Sequence, residues 1–222
     1  MTVLEMETAT VPGGRTWIGA SLDDKFANGG EPIGEWIDIG GPFEIGRHPV
    51  TIHEWREFEP GRFEELDGSL PAHGISWIDA VTFVGWLRRE TGDQGWSLPS
   101  AHEWEHAARA GTATVFPGGN TLNPSDANFL YDEAIERVGS GRMTPVGSYP
   151  ANAFGLYDMI GNVCEWTKEP GRRTGSHRIR GGAWDYLPRL LRCSWSDEIP
   201  DDSERDNVGF RLVRRSGNTL LA

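Results

Sequence analysis

Gly161-Asn162-Val163-Cys164-Glu165-Trp166, Arg180-Gly181-Gly182 and Gly209-Phe210-Arg211 follow one another in the last third of the chain. Each string sets glycine beside large or charged residues. Paired glycines such as Gly181-Gly182 permit a backbone path that a side chain would block. Around these strings the apolar residues come in short runs, which predicts strands at 161–167, 178–182, 191–195 and 209–213. Turn residues dominate from 116 to 148.

Working towards the N-terminus, the pattern becomes helical. Thr51 reads as the N-cap of a helix ending before Pro60-Gly61. Ser76 opens a second, with Asp79 three residues on and Trp77, Ala80, Val81, Val84 and Leu87 at helical spacing as far as Gly92. Ser100-Ala101-His102-Glu103 is a capping box for a third, which stops at Gly111. Arg15–Gly19 and the alternating Trp36–Ile39 read as strands. Early helices and an irregular late half with small antiparallel strands make this an α+β fold. No linker, repeat or low-complexity stretch divides the chain, so residues 1–222 are expected to form one domain.

Composition narrows the function. The 222 residues include 29 glycines and 10 tryptophans, as suits a loop-rich fold held by large buried rings. A net charge of −12 repels phosphate backbones, so nucleic acid is not an expected partner. There is no long apolar run for a membrane span. Met1–Thr10 carries Glu5 and Glu7 and no basic region, so no signal peptide is expected. Cys164 and Cys193 give no disulfide framework, and the expected location is the cytoplasm.

In their order, these strings resemble the formylglycine-generating enzyme (sulfatase-modifying factor) family, which has a C-type-lectin-like fold. Further matching pieces are Val11-Pro12-Gly13-Gly14, Arg47-His48-Pro49-Val50-Thr51, Gly74-Ile75-Ser76-Trp77, Leu98-Pro99-Ser100, Ala107-Ala108-Arg109-Ala110-Gly111 and Phe154-Gly155-Leu156-Tyr157-Asp158-Met159. Together they span nearly the whole chain. Arg180 and Arg211 are candidates for internal ion pairs or carbonyl contacts.

The resemblance also marks what is missing. The family's oxidising members carry a serine directly after the twin glycines and two cysteines a few residues on, a soft pair able to hold Cu(I). Here Ala183 takes the serine position, and no cysteine lies between Gly182 and Arg192. Cys164 stands where the family usually has tryptophan, and both thiols read as core residues, with a metal pair between them as the alternative. Other relatives place three histidines on iron. His102 and His106, four apart, share a helix face and could ligate a metal, although a solvated face explains them as well. The resemblance also implies a structural calcium ion held by Asn162, Val163 and Glu165, since a hard cation takes several loop oxygens. A second family site would use Asn128, but no acid follows it in Gly139-Ser140-Gly141-Arg142.

What remains is a surface. Trp184, Asp185, Tyr186, Leu187, Arg189 and Leu190, then Trp195, Ser196, Asp197, Glu198 and Ile199, flank the family's active groove. Aromatic and arginine side chains mixed with acids read as an interface, on the loops where binding variety concentrates. The same segment resembles the diversified region of variable proteins from diversity-generating retroelements. The expected function is therefore a non-catalytic module that binds a protein or small molecule through its C-terminal loops. A metal-dependent oxidoreductase with rearranged ligands is the alternative.

Overall fold

The computed structural model describes residues 5–27 and 33–215. Ten strands and three α-helices follow in chain order. They are β1 (Thr8–Val11), β2 (Arg15–Ile18), β3 (Glu35–Asp38), β4 (Phe43–Gly46), α1 (Ile52–Phe58), α2 (Trp77–Thr91), β5 (Trp96–Ser97) and α3 (Ala101–Arg109). After a long irregular stretch come β6 (Cys164–Pro170), β7 (Ser176–Arg180), β8 (Ser196–Pro200), β9 (Val208–Gly209) and β10 (Val213–Arg214). Among the described residues no helix is long and apolar enough to cross a membrane.

All three helices begin as their sequences predict. Thr51, Ser76 and Ser100 side chains each accept a hydrogen bond from the backbone three residues on, and the carboxylates of Glu54, Asp79 and Glu103 accept one from the cap's backbone N–H. Gly92 closes α2 in the left-handed conformation, with φ at +70°.

Two four-stranded sheets and one hairpin carry the rest. The first sheet has the order β1-β4-β10-β5, the last β8-β7-β6-β9, and β2 pairs with β3. Among the named strands of the described residues, β6 and β9 pair in parallel and the other pairs are antiparallel. The segment 208–214 belongs to both large sheets. Val208 and Gly209 pair with β6, while Val213 and Arg214 pair with β4 and β5. The single strand expected at 209–213 is thus two short ones, because the chain crosses between sheets there. The strand expected at 191–195 is absent. Leu191 N–H bonds to Pro188 and Trp195 N–H to Arg192, so local turns take those groups and pairing starts at Ser196.

Arg211 sits at the crossing and is fully buried. Its Nε and one terminal nitrogen grip both oxygens of Glu165, each at 2.7 Å. Its other donors reach the carbonyls of Gly46, Tyr157 and Asp158. Trp104 Nε1 completes the shell on Glu165 at 2.6 Å. A second buried pair ties Arg109 and Arg180 to Glu105, which also accepts the Gly19 N–H. The expectation of internal ion pairs for Arg180 and Arg211 holds. Beside these pins, Trp55 stacks on Phe83 at 5.4 Å, and both meet Phe210 edge-on.

The twin glycines turn the chain from β7 into the C-terminal loop, with φ of +90° at Gly181 and +71° at Gly182. A Cβ on Gly182 would lie 2.6 Å from the Leu190 carbonyl. Gly182→Ala adds left-handed strain of about 1–2 kcal/mol to that backbone clash. Its urea midpoint is expected to fall by the equivalent of at least about 2 kcal/mol.

Candidate functional site

Four turns converge after β7: the twin glycines, Trp184–Leu187, the single 3-10 turn Pro188–Leu190 and the start of β8. The Trp184 backbone N–H donates to the Asn162 carbonyl, which fixes the loop against the start of β6. The Trp184 ring is half-buried, and its Nε1 has no hydrogen-bond partner among the described residues. Asp185 receives the Asn207 amide on both oxygens, at 3.0 and 3.1 Å. Asn207 Oδ1, itself buried, is left unpaired.

The structure divides the predicted face. Trp184, Asp185, Leu187, Ser196 and Glu198 are half-buried, while Arg189 and Asp197 are exposed. Trp195 and Ile199 are core residues at 9% and 2% exposure, which corrects the expectation that they face solvent. β8 alternates, so Ser196 and Glu198 share the face opposite buried Ile199, while Asp197, on Ile199's side, is exposed at the edge of the sheet. Leu190 and Tyr186 pack against the main core, and Tyr186 meets Trp195 edge-on at 5.6 Å.

The Tyr186 phenol and the Cys164 thiol lie close enough in the core to influence one another. Burial pushes both groups up from their usual pKa ranges. Cys193 is likewise fully buried, and burial pushes its thiol up to about 12. The two cysteines belong to different core clusters, Cys164 with Trp55 and Phe210, Cys193 with Trp104 and Leu156. The histidines do not gather either. His102 is exposed, whereas His106 is buried and contacts the Pro12 carbonyl at 2.8 Å, so the face expected to be shared is split. Among the described residues, no three His, Cys, Asp or Glu side chains come together as a metal site.

The residues expected to hold calcium do not fit an ion. Both oxygens of Glu165 are taken by Arg211 and Trp104, inside a fully buried pair. Asn162 Oδ1 accepts from Thr144 N–H and the Asn128 amide, and its Nδ2 donates to the Thr144 carbonyl. Val163 is core, at 1% exposure. The Asn128 amide nitrogen lies within hydrogen-bond distance of oxygens from Arg142, Thr144 and Asn162 and can donate to two of them, while its buried Oδ1 has no partner among the described residues. Compensating a carboxylate with Arg211 removes the charge that draws a hard cation.

Sequence reasoning missed two recesses. A polar hollow of about 400 Å³ lies beside β8, formed by Arg172, Arg173 and Arg178 with Ser196, Asp197 and Glu198. A cleft of about 240 Å³ opens between segments 116–126 and 149–160 and includes Asp158 and Tyr149. Its one sequence hint was a lone acid among Leu156, Met159 and Ile160.

A turn of paired glycines, capped helices against small sheets, and a loop-borne C-terminal face define a C-type-lectin-like domain of the formylglycine-generating-enzyme type. Residues 2–216 match the sulfatase-modifying factor enzyme 1-like domain, and the chain belongs to that family. It is 32% identical over 185 residues to the inactive C-alpha-formylglycine-generating enzyme 2 of Mus musculus, covering 76% of this chain and 57% of that protein. The chain spans between about a quarter and just over half the length of the first curated relatives it matches. Among solved structures it is similar to PvdO from Pseudomonas aeruginosa, with 25% identity, a TM-score of 0.83 and 95% of each chain covered. Treponema denticola variable protein 1 shares the fold, with a TM-score of 0.80 at 20% identity over 97% of this chain and 98% of that one.

Two solution measurements follow from this geometry. A thiol-reactive disulfide reagent is expected to label neither cysteine in the folded protein and both in denaturant; labelling of the native state at the unfolded rate contradicts the burial. Adding millimolar calcium, or a chelator, is expected to move Tm by less than about 1 °C, because a ligand stabilises only the state it binds.

Proposed function

We propose that this chain is a non-catalytic binding module, with the loop from Trp184 to Leu190 and the open side of β8 as its ligand-contacting face. One observation carries the reading. The stretch after the twin glycines, Ala183 to Arg192, has no thiol, and Cys164 and Cys193 lie buried in separate clusters. A Cu(I) pair of the kind the oxidising members use needs deprotonated sulfur at its side. Burial works against that at both positions. The mouse relative is an inactive formylglycine-generating enzyme, so the family holds members without that activity.

The face supplies what a protein or small-molecule ligand uses. Trp184 offers the exposed part of its indole, Arg189 an exposed guanidinium, and Asp197 an exposed carboxylate. Mixed aromatic and charged groups on a rigid scaffold make a specific rim. Diversification of the segment by a retroelement is the finer form of this reading, and a near-copy of codons 183–211 beside a reverse transcriptase would support it.

The test joins chemistry to binding. Protein loaded with copper or iron and incubated in air with a cysteine peptide is expected to leave the peptide mass unchanged; conversion of the cysteine overturns the reading. Peptides selected on the wild-type protein are expected to bind Trp184→Ala and Arg189→Ala at least about tenfold more weakly, a loss of about 1.4 kcal/mol. Unchanged affinity in both variants places the binding face elsewhere.

A further inference from the structure

The cleft between segments 116–126 and 149–160 belongs to neither the C-terminal face nor the buried thiols. Phe116, Leu122, Met159 and Ile160 give it apolar walls; Asp158 and Tyr149 are among its polar groups, with a second acid, Asp126, at an exposed position. Phe116, Leu122 and Ile160 pack in the same cluster as Tyr186, so the cleft is anchored to the folded core.

Asp158 is the unusual member. It is 7% exposed and holds a left-handed φ of +53°. Aspartate, like asparagine, is one of the few residues with a side chain that visit this conformation. Its Oδ2 accepts the Gly147 N–H at 2.7 Å, and no hydrogen bond reaches Oδ1 among the described residues. Arg211 is nearby but bonds the Asp158 carbonyl and the Glu165 carboxylate instead. Burial is the largest effect on the Asp158 carboxyl and pushes its pKa up, against the pull of Gly147, Arg211 and His48. Burial and Asp158 together push the Tyr149 phenol up as well.

A carboxylate held in an apolar recess with one oxygen unpaired lacks a cation. An anionic ligand would meet Asp158 and a chain of net charge −12. A neutral ligand would leave the carboxylate uncompensated. The volume of about 240 Å³ falls below the roughly 300–1,000 Å³ of drug-sized sites and suits one ring on a short arm.

We infer that this cleft is a site for a small organic ammonium ion, whose charged nitrogen pairs with Asp158 and whose apolar body lies against Phe116, Leu122, Met159 and Ile160. The site stands independently of the C-terminal binding face.

Calorimetric titration of the purified chain at about pH 7, where amines are protonated, compares benzylammonium, benzyl alcohol and phenylacetate. Benzylammonium is expected to bind at least about tenfold tighter than benzyl alcohol, and phenylacetate more weakly than either. Asp158→Asn keeps an acceptor for Gly147 and a side chain that tolerates positive φ, so it removes the charge with little change of fold. It is expected to abolish the preference for the ammonium while leaving the alcohol unchanged. Thr121→Arg, an exposed position on the cleft, places a competing cation at its rim and is expected to weaken benzylammonium selectively. The inference is overturned if no probe binds, if ammonium and alcohol bind alike, or if a folded Asp158→Asn keeps the preference.

Discussion

The bidentate grip of Arg211 on Glu165 is the constraint on which the rest of this structure rests. It forms where the chain passes from the C-terminal sheet to the N-terminal one. A strand that changes sheets leaves backbone carbonyls without ladder partners. Arg211 reaches from the crossing to the carbonyls of Gly46, Tyr157 and Asp158 with the guanidinium that also neutralises Glu165. Two sheets, the α3 tryptophan and the loop at Tyr157–Asp158 are fixed relative to one another by one side chain. A buried pair of this kind adds little net stability over an apolar substitute, but breaking it from one side is costly. Its value lies in specifying where the crossing occurs.

That choice has a chemical consequence. A loop-rich half can be ordered by calcium, which gathers scattered oxygens around one positive centre. Here Arg211 and the Asn128 amide serve the oxygens such an ion would take, and a covalently attached cation needs no supply from solution. The C-terminal loop leans on Asn162 through Trp184, packs Tyr186 and Leu190 on the core and turns Arg189 outward. The two cysteines serve as small apolar fillers on either side of the core.

Much of this was legible in the chain. The three helices announce themselves by reciprocal caps, in which Thr51, Ser76 and Ser100 each precede an acid by three positions. Paired glycines at 181–182 disclosed a forbidden backbone path. Less was legible where local and long-range bonding compete. Leu191–Trp195 has a strand's composition, yet Pro188 starts a turn that captures its amides. Trp195 and Ile199 read as surface because they sit among acids, and only the pairing of β8 with β7 shows that they point inward. Glu165 matched a calcium string, and nothing local in the sequence said that an arginine 46 positions later would claim it. Asp158 gave no signal of burial beyond its apolar neighbours.

A double-mutant cycle on Glu165→Leu and Arg211→Leu, read by urea unfolding, tests the central claim most directly. Each single change is expected to cost about 3–5 kcal/mol, since it strands a buried charge, and the double variant to recover at least about 2 kcal/mol of the summed loss. Losses that simply add would mean that the two residues act independently, and the crossing between the sheets would then be held by something other than this pair.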